Sequence, residues 1–327
     1  MIISKTPFRI SFVGGGSDLR EFYKLHQGAV LSTTINKYMY ISTHPFFESD
    51  SIRLKYAQTE TVKNASEIQH PIFRTLIEKY SVGTGIEFSS IADVPAGTGM
   101  GSSSSFTVGL IQTIRALKGL PVSKEELASE ACDVEINMLK EPIGKQDQYA
   151  AAYGGLNIIR FNPDESVHVE SIKLDKNQKE ILNSRLMMFY TGKVRSASEI
   201  LNEQKSKTAT SKSLDTLLQM TSFVEVMKNS LLKGDFDDFG RILHENWILK
   251  QQLASGITDL MINEAYHAAL NAGATGGKLL GAGGGGFLLF YCREEYQQNV
   301  KQALRNLRLF DFKFEEEGSK LIYYGNE

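Results

Sequence analysis

A chain of 327 residues, 42% apolar and 23% charged, has the composition of a folded globular protein and the length of about two domains. Its formal charge of −2 gives no reason to expect nucleic acid or an acidic membrane surface as a partner. No apolar stretch approaches the roughly 20 residues of a membrane helix, the N-terminus lacks signal-peptide form, and Cys132 and Cys292 lie far apart without metal-ligand spacing; together these point to a reducing, cytoplasmic compartment.

Ile2–Ile3 and Phe8–Val13 predict strand, with Pro7 at the edge. The turn Gly14-Gly15-Gly16-Ser17-Asp18 follows, and Ser17 is expected to cap a short helix over Leu19–Leu25. Ala29–Ile35 and Tyr38–Thr43 are apolar, β-branched runs that predict two strands, with another at Ile52–Tyr56. Ile68, Ile72, Leu76 and Tyr80 share one helical face, and Ile86–Ile91 alternates as a strand. The loop Pro95-Ala-Gly-Thr-Gly-Met-Gly-Ser-Ser-Ser-Ser-Phe106 opens a helix whose apolar face carries Phe106, Leu110, Ile114 and Leu117.

Ser123 and Glu126 have capping-box spacing and start a helix that runs to about Leu139 and breaks at Pro142 and Gly144. A short helix over Lys145–Ala152 ends at Gly154-Gly155, and Leu156–Phe161, Val167–Ile172 and Leu186–Tyr190 predict strands. Beyond a second capping-box match at Ser196–Glu199, helices dominate: Ala197–Gln204, Leu214–Leu232, Phe236–Leu253 and Thr258–Asn271. Strands at Gly276–Leu280 and Phe287–Cys292 flank the run Gly281–Gly286, and a helix at Glu294–Leu307 and a strand at Lys320–Tyr324 close the chain. This change of character divides the chain into residues 1–185 and 186–327.

Five constellations could carry chemistry. The Pro95–Phe106 loop is either a flexible loop before a serine-capped helix or an anion site, where glycines admit a ligand to backbone N–H groups and the helix dipole favours negative charge. Gly281-x-Gly283-x-x-Gly286 matches a dinucleotide fingerprint, but such a fingerprint opens a helix, whereas here a strand resumes; no Walker A motif occurs. Glu135 and Asp147, on adjoining elements, are either surface carboxylates or a pair in which one holds Mg²⁺ and the other orients or deprotonates a hydroxyl. Arg9 with Asp18, and Lys193 with Arg195, are either ordinary surface charges or groups for a sugar and an anion.

Together these segments resemble the GHMP kinase family. Pro7–Asp18, Pro95–Ser105 and Lys278–Gly286 resemble its N-terminal substrate motif, ATP loop and C-terminal glycine motif, in family order, with Met100 and Ser104 where the loop usually has Leu and Ala. The resemblance implies an α+β fold of two domains: an N-terminal α/β domain with the ATP loop and a ferredoxin-like C-terminal domain, the active site lying between them. It implies ATP at Pro95, Gly97, Gly99, Gly101, Ser102, Ser103 and Ser104, Mg²⁺ at Ser103 and Glu135, and Asp147 as the catalytic carboxylate. It places the acceptor at Arg9, Gly15, Gly16, Asp18, Lys193, Arg195, Gly283 and Gly284.

Galactokinase carries Glu-His where this chain has Gly15-Gly16, so galactose is not the expected acceptor. The Gly-Gly-Gly-Ser-Asp turn, Gly144–Tyr149 and Thr191–Leu201 resemble instead the heptose 7-phosphate kinase branch, which implies phosphorylation of an anomeric hydroxyl. The alternatives are a kinase of another sugar, fucose-like or a sugar acid, and, outside catalysis, a ligand-binding relative that keeps the fold. The expected partners are MgATP and a small sugar phosphate; the oligomeric state is left open, a homodimer included.

Overall fold

The computed structural model describes residues 1–194, 197–208 and 211–325. β1 (Ile2–Val13) runs unbroken through Pro7, where its register against the next strand shifts. Proline lacks the N–H that a regular ladder position needs, and such an irregularity is where it is tolerated. α1 (Arg20–Tyr23) starts without the expected Ser17 cap. The Ser17 hydroxyl lies instead between the carbonyls of Gly14 (2.8 Å) and Ala29 (2.9 Å) and accepts the Ala29 N–H, which ties the glycine turn to β2 (Gly28–Pro45).

β2 is one strand of 18 residues where the sequence pattern predicts two. The polar break at Asn36 is paired from outside: its N–H donates to Lys313 and its side-chain oxygen accepts the Lys313 N–H. β3 (Ile52–Lys55), β4 (Thr59–Val62), α2 (Pro71–Lys79) and β5 (Ile86–Ala92) follow. α2 begins at Pro71, whose missing N–H would be unpaired there in any case, and buries Ile72, Phe73, Leu76 and Ile77. α3 (Ser102–Leu117) lies against β1 and β2, and α4 (Lys124–Cys132) opens with both bonds of the Ser123–Glu126 capping box. The helix expected to reach Leu139 changes at Asp133–Met138 into a π-helical turn. α5 (Gln146–Tyr153), β6 (Leu156–Phe161), β7 (Val167–Ser171) and α6 (Lys176–Ser184) complete this half.

The second half begins with β8 (Leu186–Tyr190), followed by α7 (Ala197–Thr208), α8 (Ser211–Lys233), α9 (Phe236–Lys250) and α10 (Leu260–Asn271). β9 (Ala274–Leu279), β10 (Phe287–Cys292), α11 (Gln297–Ala303), β11 (Arg308–Leu309), β12 (Phe314–Glu315) and β13 (Lys320–Tyr324) close the chain.

Two sheets result. β2 is the spine of the first: β1 lies along one side, while β6, β12 and β5 pair in succession along the other. The second sheet is antiparallel in the order β11-β8-β10-β9, with α7–α10 and α11 as its crossovers. That is the ferredoxin-like order. The chain is therefore α+β. A division at residue 185 separates the sheets except for the tail, because β12 and β13 return to pair with β2 and β1. One apolar core runs from the first sheet through Val224, Phe239 and Tyr291, and a second surrounds Trp247 and Tyr266. Both cysteines are buried and free. Among the described residues no helix is long and apolar enough to cross a membrane.

Candidate active site

β5 hands the chain to the first glycine loop, where Gly97, Gly99 and Gly101 all take left-handed backbone, with φ of 74°, 81° and 73°. The second glycine run packs directly on it. A Cβ on Gly281 would stand 2.3 Å from the Cα of Gly99, and one on Gly286 would stand 2.3 Å from the Thr98 carbonyl oxygen. Backbone contact between the two loops, not a dinucleotide, accounts for Gly99, Gly281 and Gly286.

Gly101 occupies the N-cap of α3 with no side-chain cap. Of the two readings of the serines, helix caps or hydroxyls for a ligand, capping is not what the structure shows: Ser103 donates to Glu135 at 2.8 Å and Ser105 to the Pro7 carbonyl at 3.0 Å. The first-turn N–H groups of α3 are thereby left for a ligand, and Gly97, Gly99 and Gly101–Ser104 line a cavity of about 330 Å³. Pro95 lies outside it, exposed, and accepts the Thr98 hydroxyl at 2.9 Å, which shapes the loop.

Arg9 projects from β1 into this cavity, but not as a partner of Asp18. Its Nε and Nη2 fork onto the two oxygens of Asp147, both at 2.7 Å, and Nη1 donates to the Gly99 carbonyl at 2.6 Å. One buried guanidinium thus fixes the carboxylate at the start of α5 and ties it to the glycine loop. A Cβ on Gly101 would lie 3.1 Å from Asp147 Oδ2, so the carboxylate stands beside the N-terminus of α3.

Asp18 is buried at the cavity wall and accepts the Gly16 N–H at 3.0 Å and the Gln146 N–H at 3.4 Å. Burial, and then the neighbouring Asp147 charge, raise its pKa. Gly144 allows this approach, since a Cβ there would lie 2.0 Å from Asp18 Oδ2. Gly15 and Gly16 also line the cavity.

Two lysines in the wall are absent from the ATP, metal and acceptor residues expected from sequence. Lys250, on α9, donates to the Gly281 carbonyl; burial, and next the Arg9 charge, bring its pKa down to about 8. Lys278, on β9, is 2% exposed and donates to the carbonyls of Ser11 (2.7 Å) and Phe12 (2.8 Å). Burial first, and then Lys250 and Arg9, lower its pKa far below that of a free lysine. With Arg9, Lys250 gives the cavity floor its positive charge, whereas burial disfavours the ammonium form of Lys278, which is held by two backbone carbonyls. Lys278 was legible as part of the C-terminal glycine motif; Lys250 carries no local signal.

Other expectations are corrected. Lys193 pairs with Asp259 at 2.5 Å outside the cavity, so its charge is already matched. Gly283 and Gly284 pack against Ile257, with a Gly283 Cβ position 2.6 Å from its Cα and the Gly284 N–H bonded to its carbonyl; only Gly281 and Ala282 of that run reach the cavity. Arg195 and Ser196 lie outside the described residues.

Glu135 stands behind Ser103. It is wholly buried in the π-helical turn, accepts from Ser103 and from Gln148 (2.7 Å), and has a pKa raised to about 7, chiefly by burial. Among the described residues no cation pairs with it, and no cluster of three or more His, Cys, Asp or Glu side chains could hold a metal alone. A carboxylate and a hydroxyl are a hard oxygen pair that fits Mg²⁺, an ion that characteristically takes one or two protein ligands and completes its shell with phosphate oxygens and water.

A helix N-terminus ready for phosphates, a positive floor and a clamped carboxylate beside them suit one reaction, phosphoryl transfer from a nucleotide to a hydroxyl. This chain is accordingly a small-molecule kinase, a phosphotransferase with an alcohol acceptor. It belongs to the GHMP kinases: residues 62–155 match the GHMP kinases N terminal domain and residues 227–308 the GHMP kinases C terminal domain. It is 30% identical to the D-glycero-alpha-D-manno-heptose 7-phosphate kinase of Campylobacter jejuni, over 98% of each chain. It is 24% identical to the galactokinase of Pyrococcus furiosus, over 93% of this chain and 92% of that one. The crystal structure of a D-glycero-D-manno-heptose 1-phosphate kinase from Bacteroides thetaiotaomicron superposes over the whole of both chains with a TM-score of 0.81 and 26% identity.

Proposed function

We propose that the enzyme transfers the γ-phosphoryl group of ATP to the anomeric hydroxyl of a phosphorylated sugar, D-glycero-D-manno-heptose 7-phosphate, yielding the 1,7-bisphosphate and ADP. The observation that carries the transfer chemistry is the Arg9 fork on Asp147 beside the N-terminus of α3. Support for the acceptor comes from the full-length similarity to the Campylobacter kinase.

Such a reaction asks the protein mainly for positioning and charge. The N–H groups of Gly97–Ser104 receive the phosphates, and Lys250 adds positive charge beside them. The Gly15-Gly16 turn and Asp18 hold the sugar. Asp147 orients the anomeric hydroxyl and takes its proton as oxygen bonds to phosphorus and the bond to the β-phosphate breaks. Ser103 and Glu135 would hold Mg²⁺, which when bound neutralises phosphate charge.

A coupled ADP-release assay over a panel of sugars and sugar phosphates with MgATP tests the acceptor. Heptose 7-phosphate should give the highest kcat/KM, with a second phosphorus resonance at the anomeric position. Preference for an unphosphorylated sugar would end the heptose 7-phosphate assignment and leave the kinase intact.

The buried lysine predicts a pH dependence. Lys250 is an ammonium ion below about pH 8 and neutral above it. If its charge receives phosphate, kcat/KM for ATP should fall as pH rises through about 8. In Lys250→Arg the guanidinium stays charged, so the alkaline limb should vanish. An unchanged limb in that variant would assign the titration to another group.

A further inference from the structure

Three polar atoms of the cavity wall are buried and have no hydrogen-bond partner: Gln204 Nε2, Ser11 Oγ and Gln146 Oε1. They come from three elements, α7, β1 and α5, and converge around the Gly15-Gly16 turn. A Cβ on Gly16 would stand 2.4 Å from Gln204 Nε2, and one on Gly15 would stand 3.8 Å from Ser11 Oγ and 4.0 Å from Gln146 Nε2. A side chain at Gly16 would collide with the Gln204 amide, and one at Gly15 would meet Ser11 and the Gln146 amide, so the two glycines let all three groups share one stretch of the cavity wall. Gln204 is 3% exposed, so water does not readily serve it. Buried polar atoms are nearly always paired, and a set left unpaired on the wall of a binding cavity marks where a ligand completes the bonding.

The chemistry of the set selects the ligand group. Gln204 Nε2 only donates, Gln146 Oε1 only accepts, and Ser11 Oγ does either. A phosphate or carboxylate satisfies the first and repels the second. A hydroxyl donates and accepts, so adjacent hydroxyls satisfy all three. We propose that Gln204, Ser11 and Gln146 form a hydroxyl-reading subsite that makes the enzyme selective for a polyhydroxylated acceptor, with Gln204 the residue through which the C-terminal half sets that selectivity. This rests on the reading of the cavity as a sugar kinase site and adds to it the residues that discriminate.

The test is a cycle between side chain and substrate hydroxyl. With the full-length enzyme, kcat/KM is measured for heptose 7-phosphate and for its monodeoxy analogues, one for each free hydroxyl, with the unaltered protein and with Gln204→Leu. Gln204→Leu should lose about tenfold on the parent sugar, as expected for one hydrogen bond to a buried group, with KM for ATP unchanged. One analogue should lose about tenfold with the unaltered enzyme and lose nothing more with the variant. Independent, multiplicative losses on every analogue, or parallel changes in KM for ATP, would overturn the proposal. Should Gln204→Leu fail to fold, Ser11→Ala enters the same cycle and is judged by the same outcomes. If the heptose series is not turned over but another polyol is, the heptose reading fails; the cycle is then run on that polyol's deoxy series and decides the subsite. Equal turnover of an alcohol with no hydroxyl beyond the reacting one would refute it outright.

Discussion

Asp147→Asn should lower turnover by about 10²–10⁴-fold, the usual contribution of a positioned general base, while nucleotide binding stays near that of the unaltered enzyme. The amide keeps the size of the carboxylate but carries no charge, and only one of its two terminal atoms accepts a hydrogen bond. It neither takes a proton from the acceptor hydroxyl nor receives both arms of the Arg9 fork. The phosphate-binding N–H groups belong to the glycine loop and the first turn of α3, so ATP affinity measured by calorimetry should survive. Turnover close to normal on the true acceptor would remove Asp147 from the reaction. Loss of ATP binding in step with turnover would mean that the substitution disturbs the loop instead.

Arg9→Met should cost about 10²-fold or more in kcat and lower stability as well. The guanidinium makes three short bonds, two to Asp147 and one to the Gly99 carbonyl, so its loss frees both the carboxylate and the loop. A misplacement of about 1 Å at a reacting centre is worth about 10²-fold in rate. Removing one member of a buried ion pair destabilises by about 3–5 kcal/mol; the low end applies here, because the Asp147 side chain is 23% exposed. Methionine fills similar volume, so packing loss is small. Arg9→Lys restores the charge without the fork and should recover only part of kcat. The split between constants decides the role. If Arg9 acts through Asp147, kcat falls; if it acts on the sugar, as the N-terminal motif implies, the acceptor KM rises and kcat is spared.

Most of the architecture was legible locally. Leu156–Phe161, Leu186–Tyr190, Phe287–Cys292 and Lys320–Tyr324 are strands with the bounds their short apolar and aromatic runs predict. The Ser123–Glu126 capping box forms both of its bonds because each partner lies within one turn. Elements stabilised from a distance were illegible. β12 is two residues long and exists because β2 offers an open position, and the Asn36 break in β2 is closed by Lys313 from the other end of the chain. α6 shows a capping box at Asp175 and Gln178 that marks its start, but of its residues only Leu182 is fully buried, so the periodic signal is weak.

The site divides along the same line. The glycine loop, the serines, Asp147 and the Gly15-Gly16 turn are determined by sequence alone, because left-handed backbone, a helix start and a carboxylate after a helix break are written in adjacent residues. The sequence alone also determines that a helix of mixed polar and apolar residues follows Ser196, and nothing in that pattern distinguishes Gln204 from its neighbours. Tertiary structure decides the pairings. Arg9 could have met Asp18 and instead meets Asp147, and Lys193 could have faced an anion and instead meets Asp259. Lys250, Lys278 and Gln204 become site residues only when α9, β9 and α7 close over the first sheet. The reason is physical: local sequence sets backbone geometry over a few residues, whereas the partner of a charge or an amide is set by which surfaces the packed cores bring within about 3 Å, the reach of a hydrogen bond.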